Sequence, residues 1–73
     1  MVTSRDVKDG AAFYTRTKTV DYIVEKVFVN GYGKWVFYYT LIHDGTFDAM
    51  RIDDIDTFLW RLNAAECTLL YAN

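Results

Sequence analysis

Asn30-Gly31-Tyr32-Gly33-Lys34-Trp35-Val36-Phe37-Tyr38-Tyr39-Thr40-Leu41-Ile42-His43-Asp44-Gly45 is the stretch that decides the fold. Residues 34–42 are rich in the aromatic and β-branched side chains that fit a pleated sheet. Side chains alternate across a strand. Trp35, Phe37, Tyr39 and Leu41 therefore share one face, and Val36, Tyr38, Thr40 and Ile42 share the other. Asn30-Gly31 ahead of the run and Asp44-Gly45 behind it are hairpin signals, because tight hairpin turns need backbone at positive φ. The segment reads as one strand of an antiparallel meander.

Working outward, residues 20–29 form a longer strand. Val20, Tyr22, Val24 and Phe28 lie on one of its faces, with Ile23, Val27 and Val29 on the other. Apolar residues on both faces predict a strand that bends around a small barrel or is covered on both sides. Residues 11–15 make a short first strand and residues 46–52 a further one. The period then changes. Ile55, Phe58, Leu59 and Leu62 recur at i, i+3, i+4 and i+7, the stripe of an amphipathic helix over about residues 54–65. Asp53 or Asp54 is placed to cap it, and Asp56 lies in the first turn, where the helix dipole favours negative charge. Residues 68–71 fit either a last short strand or an irregular end.

The expected fold class is α+β, mainly β, in one domain over residues 10–73 behind a polar, flexible tail of residues 1–9. Its expected form is an SH3-like small barrel or a twisted four-stranded antiparallel meander, followed by one C-terminal helix. The face bearing Trp35, Phe37, Tyr39 and Leu41 is expected to meet the helix stripe.

A chain of 73 residues has only a marginal core. Its single cysteine, Cys67, excludes an internal disulfide, and its single histidine, His43, excludes a Cys/His zinc cluster. Packing must hold the fold, and 52% hydrophobic and 18% aromatic residues supply the material. So many aromatics in so short a chain predict that some stay at the surface, where exposed clusters mark contacts. The lone thiol, the absence of a run of about 20 apolar residues, and an N-terminus without an apolar signal core predict a cytoplasmic protein.

Charge is unevenly spread. Residues 1–34 carry a balance of +2 and residues 35–73 a balance of −4, for a net −2. An acidic half repels phosphate and attracts a basic protein surface. The carboxylates Asp44, Asp48, Asp53, Asp54 and Asp56 lack the spacing of a calcium loop, so they read as a helix cap and a solvated acidic edge. His43 lies in a turn without a nucleophile motif around it, and Cys67 has no local signature of a reactive thiol. No cofactor or metal is expected, and no enzymatic activity.

Trp60 stands apart from the helix stripe, beside Asp56 and Ala64 at about 100° per residue. It either packs on the chain end near Tyr71 or stands exposed as a binding anchor, a role in which tryptophan is enriched. The protein-binding candidates are accordingly Trp60, Asp53, Asp54, Asp56 and Tyr38. An alternative set, Lys18, Lys26, Lys34, Tyr32 and Trp35, would serve a nucleic-acid-binding small barrel.

Residues 30–38 resemble the aromatic RNA-binding strand of RNA-recognition motifs. Asn30, however, replaces the basic first position, and Lys34 is an insertion that moves every later side chain to the opposite face. A second resemblance covers roughly residues 10–60. Tyr22-Ile23-Val24, Val36-Phe37-Tyr38, Asp44-Gly45, Met50-Arg51-Ile52 and Phe58 are similar to the successive motifs of a short bacterial domain family of unknown function, also common in phage genomes. The tryptophan and proline of that family's fourth motif are absent here. The resemblance implies an SH3-like barrel and no chemistry. Size and composition also resemble small phage early proteins, which implies a regulator or inhibitor that binds a host protein complex. Host RNA polymerase is the leading partner on that resemblance, and a defence nuclease complex is the alternative.

Overall fold

The computed structural model describes residues 1–16 and 20–71. A 3-10 turn, Ser4–Asp6, leads into β1 (Ala12–Tyr14), β2 (Val20–Asn30), β3 (Gly33–Ile42), β4 (Phe47–Asp54), α1 (Ile55–Ala64) and β5 (Thr68–Tyr71). All five strands join one antiparallel sheet in the order β4-β3-β2-β1-β5. The fold is α+β, mainly β. The sheet is not closed into a barrel, because β4 and β5 are its two edges. The four-stranded meander gains a fifth strand, since residues 68–71 return to pair with β1.

The β2–β3 hairpin forms where Asn30-Gly31 announced it, with different turn chemistry. Asn30 pairs with Gly33, so Gly31 and Tyr32 make the turn. The Asn30 Oδ1 accepts the Tyr32 N–H at 2.8 Å, and the positive φ of 135° falls on Gly33. An asparagine closing a turn onto the backbone two residues on removes the need for positive φ at Gly31. The β3–β4 turn follows the Asp-Gly signal: Gly45 has φ 94°, and Asp44 Oδ1 accepts the Thr46 N–H at 2.8 Å.

The helix covers one face of the sheet. Asp54 is its N-cap and accepts the Thr57 N–H at 3.3 Å. Phe58 and Leu62 are fully buried against Tyr22, Val24, Val36, Tyr38 and Phe13. The Phe58 ring lies 4.6 Å from that of Tyr38, 6.2 Å from Phe13 and 6.3 Å from Tyr22.

Which face of β3 meets the helix is opposite to the sequence expectation. Val36, Tyr38 and Thr40 point into the core, while Trp35, Phe37, Tyr39 and Leu41 point away from it. Both faces of β3 are apolar, so alternation alone carried no inside-outside signal. Within residues 1–9, expected as a flexible tail, Val2 and Val7 are buried in the core, while Met1, Thr3, Ser4, Arg5 and Lys8 are exposed. Val2 is clamped to the helix by Asn63, whose Oδ1 accepts its N–H at 3.0 Å and whose Nδ2 donates to its carbonyl at 3.1 Å.

Candidate interaction surface

Cross-strand register defines the face turned away from the helix. Directly paired residues share a face. Four rows run across β2, β3 and β4: Phe28–Trp35–Asp54, Lys26–Phe37–Ile52, Ile23–Tyr39–Met50 and Asp21–Leu41–Phe47. A bulge in β2 between Val24 and Lys26 keeps Phe28 in line with Trp35. Nine of these twelve side chains are apolar or aromatic, and the whole central column on β3 is uncharged. No described element packs over them. Phe47 and Ile52 are each 58% exposed and Met50 is 53% exposed, far from the near-zero values of the opposite face.

The three charged members of this face already have partners within the chain. Lys26 Nζ lies 3.0 Å from Asp9 Oδ2. Asp54 accepts hydrogen bonds from the hydroxyl and N–H of Thr57, which hold its carboxyl below the usual range. Asp21 Oδ1 is buried, and among the described residues His43 Nε2 lies 3.0 Å from it. The His43 ring also stacks on Tyr14 at 4.8 Å.

The residues expected to bind protein are distributed as follows. Trp60 is 69% exposed. It sits about 200° around the helix from both Phe58 and Leu62 and so points away from the sheet. Asp56 is exposed one turn before it. Asp53 and Asp54 have structural tasks instead: Asp54 caps the helix, and Asp53 Oδ2 accepts from Tyr38 Oη at 2.6 Å and from Arg61 Nε at 2.9 Å. Tyr38 does not belong to the surface. It is fully buried, because its ring fills the core under Phe58 while its hydroxyl finds Asp53. Burial first, and then the Asp53 bond, push its phenol up.

Of the nucleic-acid set, Lys26 and Trp35 fall on the face turned away from the helix and Lys34 does not. Lys26 shares a face with Phe37, whereas Lys34 shares the opposite face with Val36 and donates to Ser4 Oγ at 3.1 Å. Tyr32 sits exposed at the hairpin tip, and Trp35 Nε1 donates to Asn30 Oδ1 at 3.0 Å. Lys18 lies outside the described residues. Among the described residues, no three His, Cys, Asp or Glu side chains stand together as metal ligands, and no helix is long and apolar enough to cross a membrane.

Sequence reasoning missed the apolar sheet face as a surface, although it quoted the residues. The available signal was the excess of aromatics over what one small core can hold. No family model, no curated protein and no solved structure matches this chain.

Proposed function

We propose that this chain is a non-enzymatic protein-interaction module that docks through the face of its sheet opposite the helix. One observation carries the reading: Phe28, Trp35, Phe37, Tyr39, Leu41, Phe47, Met50 and Ile52 form a contiguous apolar and aromatic face with no described element over it. Small monomers rarely leave such a face to water, and extended apolar patches mark sites of association. The absence of charge from the central column matches the charge-depleted centre of protein interfaces. Trp60, exposed beside Asp56 on the far side of the helix, offers a second and smaller contact point. A cytoplasmic host complex, with RNA polymerase or a defence nuclease as candidates, belongs to this proposal as the partner class the sequence resemblance implies.

The test is capture from bacterial lysate by the immobilised chain, compared with Met50→Glu and Trp60→Ala. Capture that survives in neither the lysate experiment nor its repeat with candidate complexes refutes the module. So does a bound protein insensitive to both Met50→Glu and Trp60→Ala. Turnover of nucleotides or nucleic acid by the pure protein would also refute it, as would binding to nucleic acid that falls steeply with salt.

A further inference from the structure

We infer that the protein covering the sheet face is a second copy of this chain, two sheets packing face to face as a sandwich. The inference rests on the reading of that face as a docking surface and names its occupant.

Charge is the first argument. A surface shaped for a different partner commonly matches charge with opposite charge. Here Lys26, Asp21 and Asp54 are each engaged inside their own chain, by Asp9, His43 and Thr57. The face presents the uncharged column Trp35-Phe37-Tyr39-Leu41, flanked by Ile23, Phe28, Phe47, Met50 and Ile52. Such a face is complementary to itself, as a two-fold interface requires. Its composition is that of a homodimer interface, which is more apolar than the contacts of transient pairs.

Area is the second argument. β2, β3 and β4 are 11, 10 and 8 residues long. At about 3.3 Å per residue and about 4.8 Å between strands, these with β1 span roughly 500 Å² in projection, and side-chain relief adds to it. Standard interfaces bury about 800 Å² per partner, so the face is of the right order. Sheets with apolar inner faces stack about 10 Å apart in sandwiches.

Stability is the third. Chains of this size usually gain support from disulfides, metals or oligomerisation. Cys67 is the one cysteine of the chain, so no disulfide can form within it, and the described residues form no metal-ligand cluster. Association is a further device open to such a chain. In the sandwich the two helices face outward, so Trp60 and Asp56 are displayed twice, on opposite sides of the dimer.

Sedimentation equilibrium of the full chain through the micromolar range tests this. The wild type is expected as a two-chain species. Met50→Glu and Ile52→Lys, each at an exposed position, are expected to weaken association about tenfold or more while keeping the far-ultraviolet spectrum. Trp60→Phe leaves Trp35 as the sole indole, and its emission should shift red on dilution as the face meets water; this reading needs no charged variant to fold. A one-chain wild type overturns the second copy, as does a two-chain species that both charge variants leave intact, or a Trp35 emission that is constant on dilution. A one-chain wild type whose capture of another protein is lost in Met50→Glu leaves the docking face standing with a different occupant. A one-chain wild type with unaltered capture in Met50→Glu removes both.

Discussion

The hydroxyl of Tyr38 donates a 2.6 Å hydrogen bond to Asp53 Oδ2, and the same oxygen accepts from Arg61 Nε at 2.9 Å. One carboxylate thus ties β3, β4 and α1 together at the margin of the core. A hydrogen bond to a charged group contributes about 1.5–3 kcal/mol. Tyr38→Phe keeps the ring and leaves Asp53 with Arg61, so the loss should lie near the low end, about 1.5 kcal/mol. For a domain of this size that lowers Tm by roughly 6–12 °C. Calorimetry measures it, and an unchanged melting curve would show that the bond contributes nothing.

The same contact predicts alkaline behaviour. Burial, followed by the Asp53 bond, raises the Tyr38 phenol above its ordinary value of 10.0, and burial raises Tyr22 as well. The folded state therefore holds these protons more tightly than the unfolded chain. That stabilisation is fully present below about pH 10 and is lost as pH rises from there toward the folded values. Urea midpoints should be flat up to about pH 10 and fall above it. Tyr38→Phe should make the fall shallower.

Acid acts through different residues. The Thr57 hydroxyl and N–H lower Asp54, the Thr46 side chain and N–H lower Asp44, and the Val27 N–H, followed by Lys26, lowers Asp9. Groups with depressed folded values stabilise the protein above their unfolded pKa, and that contribution disappears as pH falls through the folded values. Stability should hold down to about pH 4 and decline below it. Asp54→Asn keeps a capping oxygen and removes one titrating group, so its acid transition should be less steep than that of the wild type. An identical slope in the variant would remove Asp54 from the account.

Phe58 is fully buried between the rings of Tyr38, Phe13 and Tyr22. Phe58→Ala should cost about 3–5 kcal/mol, a large part of the stability available to a domain of this size. The variant is expected to be unfolded or nearly so at 37 °C. A folded variant with the wild-type melting curve would contradict the packing of α1 on the sheet.

Trp60 is the opposite case. At 69% exposure its removal should change stability by no more than about 0.5 kcal/mol. If the helix contacts a partner, Trp60→Ala should weaken that binding by about 2 kcal/mol or more. Asp56→Lys alters charge beside it without touching the cap at Asp54, and should slow association more than it speeds dissociation. Equal affinity for wild type and Trp60→Ala would exclude the helix from the contact.

The sequence by itself determined the local elements. Alternation placed β1 to β4 within a few residues, the i, i+3, i+4, i+7 stripe placed α1, and aspartate at its head became the Asp54 cap. These signals are local, since strand and helix periods and caps depend on neighbours a few residues apart. Tertiary structure decided the rest. β3 is apolar on both faces, so only docking of Phe58 and Leu62 selects Val36 and Tyr38 for the core and turns Trp35, Phe37, Tyr39 and Leu41 outward. Short residues 68–71 become a strand only because β1 offers an edge, and Val2 and Val7 pack only because that end of the core is open to them. Asp53 could be named from the sequence, but its bonds to Tyr38 and Arg61 join three elements that meet only in the fold. A face becomes inside or outside by what lies over it, and that is a property of the assembled layers, not of the strand.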